Sequence, residues 1–270
     1  DPSFSATLQN KRIALVFFEN STRTRFSFDI AARHLGGSTL SFSASGSSVS
    51  KGESLGDTIR NLEAMQVDAF VLRHASSGAA DFIAGITAKT IINAGDGSHE
   101  HPTQALLDTF TIFEELGAGQ VDGMTVTMLG DLKYGRTVHS LARLLTLFNV
   151  RLNYVSPDIL PMPEDVIAEV QASGTPQASF TSLEEVLPES DVVYVTRVQK
   201  ERFADEKEYE KVRGSYVISP ETLKIAKEDM IVMHPLPRVN EIHASVDDDP
   251  RAAYFRQMAN GMYIRMALLA

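Results

Sequence analysis

Cysteine is absent from the 270-residue sequence, which excludes disulfides and thiolate chemistry and leaves the compartment open. No apolar run is long enough to span a bilayer, and the start lacks the pattern of a secretory signal. Basic charge is in deficit: the formal net charge of −10 disfavours a general nucleic-acid binder, because counterion release needs basic surface. Short-period repeats, low-complexity tracts and the P-loop pattern are also missing. Gly130 to Gly135 is glycine-punctuated but lacks the GxGxxG spacing of a dinucleotide site. His99 and His101 stand too close together, ahead of a proline, for a helical HExxH pair, and no thiolate could complete a site, so neither metal nor cofactor is expected. Any anionic ligand must then be held by arginine and lysine concentrated locally against an acidic background.

What is present alternates. Arg12 to Phe18 is an apolar run rich in strand formers, and Phe28, Ala31, Ala32 and Leu35 then repeat at helical spacing up to Gly36-Gly37. Ser38 to Phe42 reads as a strand and Ser43 to Gly52 as a mobile Gly/Ser-rich loop. Leu55, Ile59, Leu62 and Met65 mark a helix, Ala69 to Leu72 and Thr90 to Asn93 strands, and Leu106, Phe110 and Phe113 a helix after Pro102. Gly117 to Gly123 is the best boundary, and the pattern restarts beyond it. Strands are expected at Met124 to Leu129, Val150 to Val155, Val192 to Thr196 and Met230 to His234. Val138, Leu141, Leu145 and Phe148 share a helical face, and Pro250 to Ala270 reads as a long terminal helix. The alternation predicts an α/β protein of two doubly wound parallel-sheet domains with the active site in the cleft between them.

Ser21-Thr22-Arg23-Thr24-Arg25 falls at the first strand-to-helix turn, where free backbone N–H groups, hydroxyls and guanidiniums suit phosphate oxygens. An N-capping serine followed by solvated arginines would look the same locally. Further polar clusters follow later strands: Arg73-His74, His99 to Gln104, Gly130 to Arg136, Arg197 to Arg202 and His234 to Arg238. Each alone could be a charged loop flanking a sheet. Their coincidence at successive strand ends points to a cation-lined ligand cleft.

Ser21-Thr22-Arg23-Thr24-Arg25, Lys51-Gly52-Glu53, Val71-Leu72-Arg73-His74 and His101-Pro102-Thr103-Gln104 together resemble the carbamoyl phosphate site of the aspartate/ornithine carbamoyltransferase family. Arg197-Val198-Gln199-Lys200-Glu201-Arg202 and His234-Pro235-Leu236-Pro237-Arg238 resemble the second-substrate site of its aspartate-using branch. The motifs stand in the family's order, from about Arg12 to the C-terminus. One departure is visible: only Asp1 to Lys11 precede the first strand, where the family carries a further helix.

The resemblance implies a carbamoyl phosphate-binding domain over 1–118, an aspartate-binding domain over 119–251, and a terminal helix of about 252–270 packing back on the first. It implies transfer of a carbamoyl group to L-aspartate, giving N-carbamoyl-L-aspartate and phosphate, an early step of pyrimidine biosynthesis. Ser21, Thr22, Arg23, Thr24 and Arg73 would hold the phosphate with Ser47 and Lys51. Thr24, Arg73 and His101 would aim donors at the carbonyl oxygen. Gln104 and the backbone carbonyls of Pro235 and Leu236 would orient the carbamoyl amide. Arg136, Arg197, Gln199 and Lys51 would take the aspartate carboxylates, and Glu19 would bridge to Arg136 and Arg202 on closure. The expected assembly is a cytoplasmic homotrimer in which Lys51 reaches a neighbouring subunit's site, with a regulatory or dihydroorotase partner left open and no nucleic-acid or membrane partner. The rivals are transfer to another amino acid such as ornithine, which the aspartate-type motifs disfavour, and a non-catalytic anion-binding homologue, which predicts gaps among the catalytic residues.

Overall fold

The computed structural model describes residues 4–117, 121–198, 203 and 205–270. They form two compact units, Asp1–Thr103 with Gly261–Ala270, and Gln104–Asn260.

The first unit is built on a parallel sheet of β1 (Arg12–Phe17), β2 (Ser38–Ser43), β3 (Ala69–His74) and β4 (Thr90–Asp96) in the order β2-β1-β3-β4. Strand β1 is apolar from Ile13 to Phe17 because both of its faces are covered there. Ile13, Leu15 and Phe17 pack with Phe28, Ala31 and Ala32 of helix α1 (Thr22–His34) and with Leu269 near the C-terminus. Ala14 and Val16, a half-period away, pack with Ile59 of α2 (Leu55–Ala64) and Ile83 of α3 (Ala79–Ala84). Register sets Phe17 beside Ser43 on one side and Arg73 on the other, so the carboxyl ends of β2, β1 and β3 lie in a row. The β3–β4 ladder shifts between Leu72 and His74, an irregularity that re-aims the chain where Arg73 leaves the sheet.

The second unit carries β5 (Thr125–Leu129), β6 (Arg151–Val155), β7 (Gln177–Phe180), β8 (Val192–Val195) and β9 (Ile231–Met233), all parallel, in the order β7-β6-β5-β8-β9. The chain runs outward from β5 through β6 to β7, then returns to β8 on the other side, so β5 and β8 flank the topological switch point. Val126, Met128, Val192 and Tyr194 face α4 (Pro102–Leu116), α5 (Arg136–Leu145) and α6 (Glu164–Ala172), while Leu129, Val193 and Val195 face Leu183, Leu187 and Ile218.

Several expectations need correction. Ser43–Gly52, read as a mobile loop, carries local structure: Ser43 ends β2, and two 3-10 turns follow, Ala44–Gly46 and Ser48–Lys51. Its serines bond to nearby carbonyls, Ser47 Oγ to Ala44 at 3.0 Å and Ser50 Oγ to Ser47 at 2.7 Å. By their contacts the units divide at 103/104, and Ile112 of α4 packs in the second unit's core. The terminal helix, α8, begins at Tyr254 rather than Pro250 and runs to Leu269, since the Asp249 carboxylate holds Arg251 in a turn before it. Periodicity did not reveal β7, whose residues lie half or fully exposed, nor α3, α6 and α7 (Glu206–Val212), which are short.

Candidate active site

Ser21 is the N-cap of α1, in extended conformation, and its hydroxyl makes no capping bond. The first turn of the helix therefore offers N–H groups as well as the side chains of Thr22, Arg23 and Thr24. Thr24 is buried and Arg23 half-buried. Burial lowers the Arg23 pKa from its ordinary value, and no carboxylate among the described residues pairs with it. Arg25 instead lies over the ring of Phe26, 5.4 Å from its centre.

Arg73 arrives beside this turn from β3. Its Nη1 donates to the Ala94 carbonyl at 3.3 Å, and its Nε lies 3.4 Å from Glu19 Oε2. Glu19, expected to bridge to Arg136 and Arg202, thus meets an arginine of its own unit. The neighbouring His74 is used locally, accepting from the Ser76 N–H and packing edge-on to Phe18.

His101 is buried just ahead of Pro102, which starts α4 at the position where a missing N–H costs nothing. The segment before it is tied down by Asp96, a buried carboxylate that sequence inspection did not single out. Asp96 accepts from the Gly78 N–H at 2.6 Å, Asn93 Nδ2 at 2.9 Å and the Glu100 N–H at 3.2 Å. Gly97 fits beneath Ser77 with φ +53, where a Cβ would meet the Ser77 nitrogen at 2.9 Å. Ser47 caps the second 3-10 turn beyond β2 and Lys51 ends it, and Lys51 forms no ion pair among the described residues. Glu53 is engaged by Thr58 and Asn61 of α2.

In the second unit, Arg136 opens α5 and is buried, while Arg197 follows β8 and is half-buried. Both leave the switch point, because Leu129 and Val195 are register partners. Thr196 Oγ1 donates to the carbonyls of Leu129 and Asp131, binding the two strand ends together. Gly130 makes that closeness possible: at φ +113, a Cβ would lie 2.4 Å from the Thr196 carbonyl oxygen. A small pocket opens here, lined among others by Gly130, Thr196, Arg213 and Asn240, and neither Arg136 nor Arg197 lines it. Gln199 and Arg202, with Lys200 and Glu201, lie outside the described residues.

The remaining predicted residues belong to a buried polar network. Gln104 Nε2 donates to Asp108 Oδ1 at 2.8 Å, and Gln257 Nε2 donates to the same oxygen at 2.6 Å. Tyr194 donates its hydroxyl to Asp108 Oδ2 at 2.7 Å, and burial with the adjacent carboxylate pushes its pKa up. Gln257 Oε1 in turn accepts the His234 N–H at 2.9 Å. His234 Nδ1 accepts the Leu236 N–H at 2.7 Å, so the proton sits on Nε2, which donates to Glu241 Oε1 at 2.8 Å. Burial alone would raise the Glu241 pKa, but the bonds from His234 and from nearby backbone N–H groups outweigh it and hold it below the ordinary carboxylate value. The chain from His234 to Leu236 is thereby fixed, with Leu236 at φ +55 and its peptide to Pro237 cis. Of the network, Gln104 and His234 stood in motifs singled out in the sequence; Asp108, Tyr194, Gln257 and Glu241 did not. Among the described residues no three His, Asp or Glu side chains gather as a metal site.

Comparison with known proteins agrees with this layout. The family model for the carbamoyl-P binding domain of aspartate/ornithine carbamoyltransferases matches residues 2–114, and that for the Asp/Orn binding domain matches residues 122–270. The chain belongs to the aspartate/ornithine carbamoyltransferase family. It is 53% identical to the aspartate carbamoyltransferase catalytic subunit of Thermococcus gammatolerans, over 97% of this chain and 84% of that one. It is 57% identical to the multifunctional protein CAD of Squalus acanthias over 97% of this chain. The chain spans 12% of the length of CAD and 12% of a further multifunctional relative from Dictyostelium discoideum. The aspartate transcarbamoylase of Trypanosoma cruzi, solved with carbamoyl phosphate and aspartate, superposes with a TM-score of 0.92 at 46% identity, covering 98% of this chain and 85% of that one.

Proposed function

We propose that the chain transfers the carbamoyl group of carbamoyl phosphate to the amine of L-aspartate, releasing N-carbamoyl-L-aspartate and phosphate, a step of pyrimidine biosynthesis. The observation that carries this reading is Arg23, a half-buried guanidinium without an acidic partner among the described residues, at the open N-terminus of α1. A dianionic phosphate supplies the charge that this position lacks. Ser21, Thr22, Thr24 and Arg73 complete its coordination with Ser47 and Lys51. Thr24, Arg73 and His101 stabilise the carbonyl oxygen as negative charge develops on it, and Gln104 with the Pro235 and Leu236 carbonyls receives the carbamoyl amide. Arg136, Arg197, Gln199 and Lys51 hold the aspartate carboxylates. The departing phosphate accepts the amine proton, so catalysis rests on positioning and electrostatics.

Carbamoylation of L-aspartate and of L-ornithine, measured in parallel, tests the reading. Aspartate should be the better acceptor, since an arginine-lined site repels ornithine's second ammonium. Equal or greater turnover of ornithine would overturn it, as would no turnover of either.

The same reading includes a cytoplasmic homotrimer in which Lys51 serves a neighbouring subunit's site, with a regulatory or dihydroorotase partner left open. What supports sharing is that Lys51 sits on exposed turns with no ion pair of its own among the described residues. Arg23→Ala and Lys51→Ala proteins should each be nearly inactive. When they are dissociated, mixed and reassembled, activity should return in sites that draw Arg23 and Lys51 from different chains. Verified exchange without recovery would refute sharing.

A further inference from the structure

The Asp108 carboxylate is fully buried in the second unit, and the donors around it are sorted in a way that bears on substrate choice. Two glutamine amides end on one oxygen, Oδ1, at 2.8 Å from Gln104 and 2.6 Å from Gln257, while the Tyr194 hydroxyl ends on Oδ2 at 2.7 Å. An ionised carboxylate can only accept. Each glutamine must therefore turn its NH₂ toward Asp108 and its carbonyl oxygen away. For Gln257 the consequence is visible: its Oε1 accepts the His234 N–H at 2.9 Å and holds the start of the His234–Leu236 segment. For Gln104 the same constraint makes its outward-facing group an acceptor.

A carbamoyl NH₂ is a pure donor, so what it needs from Gln104 is an oxygen. We propose that Asp108 is a positioning residue that fixes the amide polarity of the site, presenting Gln104 Oε1 to the carbamoyl NH₂ and, through Gln257, holding the His234–Leu236 segment in place. This rests on the reading of Gln104 as a carbamoyl ligand. Without an acceptor at Asp108 Oδ1, Gln104 is free to rotate and present its own NH₂, donor against donor.

Acetyl phosphate tests the idea, because it keeps the phosphate and the carbonyl and replaces the NH₂ with a methyl group. The readout is the ratio of kcat/KM for carbamoyl phosphate to that for acetyl phosphate, with L-aspartate as acceptor. Asp108→Leu should shrink the ratio by about ten- to a hundredfold, the scale of a lost or mispaired hydrogen bond. Asp108→Asn should keep the parent's ratio, because its carbonyl still accepts from both glutamines and the Tyr194 hydroxyl can turn to accept from its NH₂. A merely structural role lowers both substrates alike and leaves the ratio unmoved. An unchanged ratio in a folded Asp108→Leu protein would overturn the proposal, as would a collapse in Asp108→Asn as deep as in Asp108→Leu.

Should Asp108→Leu not fold, the parent still decides. Its Gln104 side-chain amide protons, assigned by their loss in Gln104→Leu, should be protected from solvent exchange, and exchange at the rate of a free amide would overturn the proposal. A parent that carbamoylates aspartate without preferring carbamoyl to acetyl phosphate would overturn this proposal and leave the activity standing. A parent with no carbamoylation of aspartate would overturn the activity and the proposal with it.

Discussion

Arg23 in the first unit and Arg238 in the second both follow the carboxyl end of a parallel strand, and both belong to motifs that resemble substrate sites. Their surroundings are opposite. Arg238 donates to both oxygens of Asp247 and to the Tyr254 hydroxyl at 3.1 Å, and it lies over the Tyr254 ring at 5.2 Å from its centre. The Asp247 bond raises its pKa. Arg23 has burial without a carboxylate among the described residues, and its pKa is lowered. An arginine whose charge is answered inside the protein holds the chain together. One whose charge is left unanswered at a helix N-terminus is stable only because solvent, or a ligand, completes it.

The largest effect that would sharpen this contrast is on ligand binding. Two unit charges about 4 Å apart at an effective dielectric near 20 interact by roughly 4 kcal/mol, so Arg23→Ala should weaken carbamoyl phosphate by as much as about a thousandfold. Its midpoint of thermal unfolding should move little. Titration calorimetry with carbamoyl phosphate, beside a thermal melt, checks both halves. Unchanged affinity would erase the distinction.

Arg238→Met should do the reverse. It keeps the apolar stem and loses the hydrogen bonds to Asp247 and Tyr254, which at charged groups suggests a cost of about 2 kcal/mol. Urea unfolding should show that loss. A variant as stable as the parent but unable to bind carbamoyl phosphate would mean that Arg238 belongs with Arg23.

The smallest effect concerns Glu241, the carboxylate that anchors His234. Because its folded pKa lies below the ordinary value of 4.5, ionised Glu241 stabilises the fold above that pH, and the contribution fades as pH falls through the depressed value. Glu241→Gln keeps one acceptor, so it should cost about 1 kcal/mol at neutral pH and flatten the acid limb of stability. An acid limb identical to the parent's would show that the His234–Glu241 pair is not what titrates.

Much of this is legible in the sequence. Covered strands such as β1 are apolar on both faces, so they announce themselves as runs, and α1 and α5 bury enough of one face to show helical spacing. The edge strand β7 buries no face and left no trace. The candidate phosphate turn was legible because Ser21 to Arg25 is contiguous and follows a strand. Asp96, Tyr194, Gln257 and Glu241 were not, because each acts on a segment remote in sequence, and a lone acidic, aromatic or amide residue carries no sign of its partner.

The sequence by itself therefore determined the alternating α/β architecture, the ordered motifs of the family and the strand ends at which charge collects, since these depend on residues that are neighbours along the chain. Only the tertiary structure decided that Glu19 meets Arg73, that Arg238 is answered by Asp247 and Tyr254, and that Asp108 orients two glutamines. A hydrogen bond requires its two groups within about 3 Å and correctly aligned, and in a chain that brings distant strands together that condition is set by packing rather than by order.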